Sequence, residues 1–250
     1  MNSAMLKLAY TLAVEDLSDR FRRSILGVIW LALTFAAVIL IKVLVFEGMF
    51  DNSGVDYISH LTIGLALFGC ITTCVAGGAN LFVANRTWIL STDLPYVLFM
   101  HSLILRALIE LAIIAALAIP ILMILGELNP GALWTIIPAM MMFYLTAISV
   151  CLVLAPIGAR YRDLIHATQT VMRMLFFATP IIWIASPGTQ RAYIASFNPV
   201  THYIEIIRQP IMTGAVPLTS WLICIAFTFT LFVIGIIIFK YQKKEVPYWL

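Results

Sequence analysis

Long, uninterrupted apolar runs constrain this chain of 250 residues more than any other feature. Six stretches reach the roughly 20 residues that a helix, rising about 1.5 Å per residue, needs to cross a hydrocarbon core about 30 Å thick. They cover approximately 26–46, 61–83, 102–125, 133–157, 167–184 and 218–239. A backbone in lipid must satisfy its own hydrogen bonds, so runs of this length predict helices. Only 11% of residues are charged, 62% are apolar and the mean hydropathy is +1.02. Soluble domains carry about a quarter charged residues, so a water-soluble surface is excluded. The expected fold class is all-α integral membrane with six transmembrane helices.

The placement of charge predicts the orientation. Ten basic residues fall before the first run, in alternate connections and after the last run: Lys7, Arg20, Arg22, Arg23, Arg86, Arg160, Arg162, Lys240, Lys243 and Lys244. The other connections hold the acids Glu47, Asp51, Asp56 and Glu127, with Arg191 and Arg208 their only basic residues. Basic residues are retained on the cytoplasmic side, so both termini are expected there. Lys7, Thr11, Glu15, Ser18 and Arg22 recur at helical spacing, with apolar residues over the rest of that surface. This predicts an N-terminal amphipathic helix in the membrane interface within residues 1–25, or else a helix packed on a partner. No cleavable signal peptide is expected. With no internal repeat, residues 1–250 read as a single transmembrane permease domain, 26–239 forming the spans and 240–250 a cytoplasmic tail. The net charge of +3 does not point to nucleic acid. Cys70, Cys74, Cys151 and Cys224 all sit in apolar runs as small hydrophobic residues.

Four motifs carry a family resemblance. Asp16, Asp19, Arg20, Arg22 and Arg23 lead to Gly27 and Trp30 at the start of the first span; Gly158, Arg160, Tyr161, Arg162 and Asp163 follow the fourth. Phe197, Asn198 and Pro199 precede Arg208 and Gly214 before the last, and Thr179 and Pro180 fall late in the fifth. In this order the motifs resemble the polysaccharide-export permeases, the membrane subunits of type-2 ABC exporters of O-antigen, capsular polysaccharide or teichoic acid. The resemblance implies a homodimer on two copies of an ABC ATPase subunit. It implies passage of a lipid-linked polysaccharide, polyprenyl-linked or otherwise, across the bacterial inner membrane in lipopolysaccharide biosynthesis or capsule formation. O-antigen export is the leading expectation. Short re-entrant helices before the last span are also implied, Asn198, Pro199, Glu205 and Arg208 shaping the exit.

No GxxxxGK[ST] phosphate loop occurs in the chain, so ATP and its Mg are expected on the partner, with no cofactor or catalytic residue here. The segment with Arg86, Trp88, Asp93, Pro95 and Tyr96 is either the ATPase-coupling element or an ordinary loop, with Ser91 or Asp93 capping a short helix. Arg160, Arg162 and Asp163 either order their own loop or touch the ATPase. Arg20, Arg22 and Arg23 either anchor topology or receive a substrate pyrophosphate head group, because guanidinium forks match phosphate oxygens.

Arg106 and Glu110, four apart on one helical face, form either a structural intramembrane ion pair or part of the transport path. Arg173 lacks a sequence neighbour and is expected to face the dimer interior or Glu110. Trp30, Phe35, Tyr144, Phe176, Phe177, Trp183 and Tyr203 are candidates to line a sugar pore, or else packing and interface-belt residues. Two other functions compete: an integral-membrane glycosyl or phosphoryl transferase of polyprenyl-linked glycans, and a drug- or lipid-exporting ABC permease. The first usually needs clustered acids or metal-spaced histidines; Asp16 and Asp19 are mixed with three arginines that would compete for them, and His60, His101, His166 and His202 lack that spacing.

Overall fold

The computed structural model describes residues 3–46, 54–126, 128–185 and 188–250. Glu47, Asp51, Glu127 and Pro187 lie outside the described residues, as does the side chain of Asp56. Among the described residues the chain is helical and holds no strand. In order come α1 (Ser3–Arg20), α2 (Ile29–Phe46), α3 (Gly54–Ala84), α4 (Arg86–Ser91), α5 (Tyr96–Leu125), a 3-10 turn (Pro130–Thr135), α6 (Ile136–Arg160), α7 (Asp163–Ala178), α8 (Gln190–Phe197), α9 (Pro199–Thr213), α10 (Leu218–Gln242) and α11 (Val246–Trp249).

Four helical stretches among the described residues are long and apolar enough to cross a membrane: Tyr57–Ala84, Tyr96–Leu125, Pro130–Arg160 and Leu218–Gln242. The protein is a multi-pass membrane protein. The stretch expected as a fifth span, 167–184, differs from the helix found there. α7 begins earlier, at Asp163, and stops at Ala178 after 16 residues. Thr179 Oγ1 donates back to the Leu175 carbonyl at 2.6 Å, and Pro180 has no N–H with which to continue the ladder.

α3 is the hub, packing on α5, α6, α7 and α9, while α10 lies along α6. Without a hydrophobic drive between helices in lipid, close approach depends on small residues. Gly64, Gly77 and Gly78 face Ile181, Leu103 and Cys151 respectively. At the end of α6, Gly158 crosses α3 so closely that a Cβ there would meet the Ala79 carbonyl oxygen at 1.9 Å.

α9 is the other internal element. Asn198 caps it, its Oδ1 accepting from Val200 N at 3.0 Å, and Pro199 takes the first helical position, where no N–H is needed. Gly214 ends it at φ 70. At 15 residues, or about 22 Å, it is too short to cross a membrane.

Candidate functional site

Three polar constellations stand out on this frame. One joins α1, α5 and α3. Ala9, Ala13 and Leu17 bury one stripe of α1, which packs on α5. The next turns bring charge to the same line: Asp16 pairs with Arg106, and Arg20 Nη1 lies 3.3 Å from Glu110 Oε1. Arg106 Nε is 3.8 Å from Glu110 Oε1, and Thr73 donates to Glu110 Oε2 at 3.2 Å. Glu110 is only 7% exposed, so its carboxylate needs these partners. The spacing of Arg106 and Glu110 is legible in the sequence; Asp16 and Arg20, 90 residues away, are not. Arg173, expected near Glu110 or the dimer interior, does not approach Glu110. It sits on the exposed face of α7 with Nε donating to the Gln169 carbonyl at 3.4 Å.

The second constellation lies where α9 meets the end of α7. Arg208, 4% exposed, pairs with Glu205 and donates to the Pro180 carbonyl at 2.7 Å. His60 Nε2 lies 2.9 Å from Arg208 Nη1 and accepts from it when its proton is on Nδ1. Asn198 Nδ2 donates to Thr179 Oγ1 at 2.8 Å. Thus the Asn198–Pro199 pair and Arg208 serve one purpose: they tie the start and middle of α9 to the break after α7. Thr179, already part of the sequence motif, and His60 complete the ties, and only the fold reveals that of His60.

The third is an open cleft of about 580 Å³ between α3 and α7, lined by Phe68, Thr72, Gln169, Arg173, Phe176 and Phe177 among others. Phe176 packs edge-on against Phe68 and Phe177, with Lys42 Nζ 4.8 Å above its ring. Phe177 is 70% exposed. Trp183 stays beside them, its indole N–H donating to the Phe177 carbonyl at 3.0 Å. The other aromatic candidates separate from this group. Trp30 is exposed at the start of α2. Tyr144 bonds His101. Phe35 and Tyr203 are buried. Phe35 packs with Ile39, Ala66 and Ala118, and Tyr203 hydrogen-bonds Thr228 at 2.6 Å and Thr146 at 2.9 Å.

Elsewhere, Arg22 pairs loosely with Asp19 at 3.5 Å, and Arg23 takes a left-handed φ of 69 in the turn leading to α2. Arg86 and Trp88 lie on α4, which buries no residue; Asp93 and Pro95 are exposed after it, and Tyr96 packs against Phe82 and Phe239. Neither Ser91 nor Asp93 caps a helix, a correction: α4 runs into Ser91 from the other side, and α5 starts after Pro95 with no side-chain cap. Arg160, Arg162 and Asp163 are exposed where α6 gives way to α7, the Arg160 guanidinium lying over the Tyr161 ring. Among the described residues no group of three or more His, Cys, Asp or Glu side chains is placed to hold a metal ion.

The chain is 25% identical over 224 residues to the O-antigen export system permease protein of Myxococcus xanthus, a match covering 85% of each chain. The chain is thus similar over most of its length to a polysaccharide-export permease. No model of a known protein family matches it.

Proposed function

We propose that this chain is the channel-forming permease subunit of an ATP-driven exporter whose cargo is a lipid-linked polysaccharide, O-antigen before capsule or teichoic acid. The observation that carries the reading is the α3–α7 cleft in a relative of an O-antigen export permease. A glycan crossing a bilayer needs ring faces to stack on and groups that exchange hydrogen bonds without gripping. Phe68, Phe176 and Phe177 supply the first, and Thr72, Gln169 and Arg173 the second. One copy makes an open groove. A second copy, meeting the exposed Met174 and Phe177 of α7, closes it into a channel.

In this reading α2 and α7, about 27 and about 24 Å long, complete six spans, residues 179–184 adding the remaining depth of the fifth. Both termini are cytoplasmic, in a bacterial inner membrane. α1 lies at the cytoplasmic interface with Leu6, Tyr10 and Val14 toward lipid, and α8 and α9 re-enter from the outer side. Two separate ABC ATPase subunits hold ATP and Mg and push on α4 and the 160–163 turn. Arg20 is already engaged by Glu110, which leaves Arg22 and Arg23 to receive the lipid pyrophosphate. The exposed Arg22–Asp19 pair, of a kind worth about 0–1 kcal/mol, yields readily to that ligand. The Glu205–Arg208–His60 group holds the exit helix.

Proteoliposomes test this directly. The purified chain, reconstituted with its ABC ATPase and a polyprenyl-linked glycan, is expected to deliver glycan to the opposite face only when ATP is supplied. Delivery without this chain, or none with all components present, would refute the proposal.

A further inference from the structure

Residues 240–250 read in the sequence as a cytoplasmic tail, and the structure folds their end back against the bundle. After α10 the chain reverses at Lys243 to Glu245, with Glu245 N donating to the Gln242 carbonyl at 2.9 Å and Tyr248 N to the Glu245 carbonyl at 3.0 Å. Pro247, with no N–H to satisfy, stands at the start of the short α11 that follows. Val246 is 0% exposed, and Leu250 is buried with it among Phe82, Phe99, Met100, Leu152 and Ala159. Ile89 and Leu94, from the connection between α3 and α5, and Tyr96, the first residue of α5, pack against that same apolar cluster. Trp249 reaches the other connection: the Arg160 guanidinium lies 5.3 Å from its ring and 5.2 Å from that of Tyr161, held between the two faces.

Segment 246–250 therefore touches or shares a core with both connections that face the same side of the membrane. What these elements leave outward is aromatic: Trp88, Tyr161 and Tyr248 are all exposed, the last at 88%. The positive-inside charge bias puts this face in the cytoplasm, amid Arg86, Arg160, Arg162, Lys243 and Lys244. Exposed aromatic and arginine side chains are the usual anchors of a protein interface.

We propose that segment 246–250 is a keystone that locks the two cytoplasmic connections into one surface, and that Trp88, Tyr161 and Tyr248 on that surface are anchors for the ATP-hydrolysing subunit. The occupant follows from the exporter reading, on which this inference rests: the chain has no phosphate loop of its own, so the partner that burns ATP must grip a cytoplasmic face. Tyr248 and Trp249 thereby become docking and positioning residues, respectively.

Hydrogen exchange on the full chain in lipid nanodiscs tests the keystone without any partner. Trp249→Ala and Val246→Asp are expected to speed exchange in 86–91 and 160–163 by roughly tenfold, leaving the middle of α5 and α6 unchanged. Unchanged exchange in those two connections would overturn it; if Val246→Asp fails to insert, Trp249→Ala decides. Binding of the purified ABC ATPase to the same nanodiscs tests the docking role. Tyr248→Ala and Trp88→Ala are each expected to weaken it by about tenfold. Weakening by Trp88→Ala with no effect of Tyr248→Ala or Trp249→Ala would overturn this inference and leave the coupling loop standing. No effect of any of the three would overturn the inference together with the coupling reading.

Discussion

Replacing Gly158 with alanine tests the crossing of α3 and α6 on which the placing of α4 and the 160–163 turn depends. An added Cβ would lie 1.9 Å from the Ala79 carbonyl oxygen and 2.9 Å from its carbon. The shortest comfortable C···O contact is about 3.3 Å, so the two backbones must part by roughly 1.4 Å. The obstacle is a carbonyl within a helix, which cannot rotate aside like a side chain. Overpacking costs about 1–3 kcal/mol, here toward the upper end, offset by about 1 kcal/mol from removing a helical glycine. The expected net loss is about 2 kcal/mol. Gly69→Ala is the control, since a Cβ there meets nothing within 4 Å. It should gain about 1 kcal/mol from propensity alone. The two variants should therefore differ by about 3 kcal/mol, or roughly 6–12 °C in Tm for a chain of this size. Thermal unfolding of each in the same detergent measures this. Equal stabilities would refute the packing argument, and with it the reason a glycine stands two residues before Arg160.

Four further outcomes are expected. Arg208→Met removes the guanidinium from the half-buried Glu205 and from the buried Pro180 carbonyl, which keeps only His60 Nε2 at 3.0 Å, and should destabilise the chain by about 3 kcal/mol, whereas adding Glu205→Met should recover part of the loss; chemical unfolding of both variants checks this. Glu110→Gln should loosen α1 from α5, read as faster proteolysis at Arg20 to Arg23, while leaving insertion intact; unchanged cleavage would mean that the Ala9, Ala13 and Leu17 stripe holds α1 alone. Phe177→Ala, at an exposed site, should shift stability by less than about 0.5 kcal/mol yet lower export, with export measured by surface glycan. Charge reversal of Arg22 and Arg23 together should lower export without lowering the amount of chain in the membrane, and normal export would remove their head-group role.

The long apolar runs announce a helical membrane protein because lipid allows the backbone few alternatives. Local motifs were equally legible. The Asn198–Pro199 pair acts as a helix cap, and the four-residue spacing of Arg106 and Glu110 brings them within 3.8 Å. What composition could not convey was the set of partners reached through space. Arg20 and Asp16 meet α5 across 90 positions, and His60 meets Arg208 across 148. Tyr203 reads in the sequence as an aromatic that could line a sugar pore, and the fold adds that its hydroxyl bonds Thr146 and Thr228. The apolar content of 167–184 obscured the stop at Thr179 and Pro180, where a back-bonded hydroxyl and a missing N–H outweigh hydropathy. The fold-back of 246–250 is likewise hidden, since five residues after three charged ones show no period.

The most direct measurement is depletion of this protein in its native cell, followed by location of the lipid-linked glycan. Full-length polymer accumulating on the cytoplasmic face, with the cell surface stripped of it, is the outcome expected of a lost exporter. Truncated or absent polymer with no cytoplasmic accumulation would contradict export and place the chain in glycan synthesis instead.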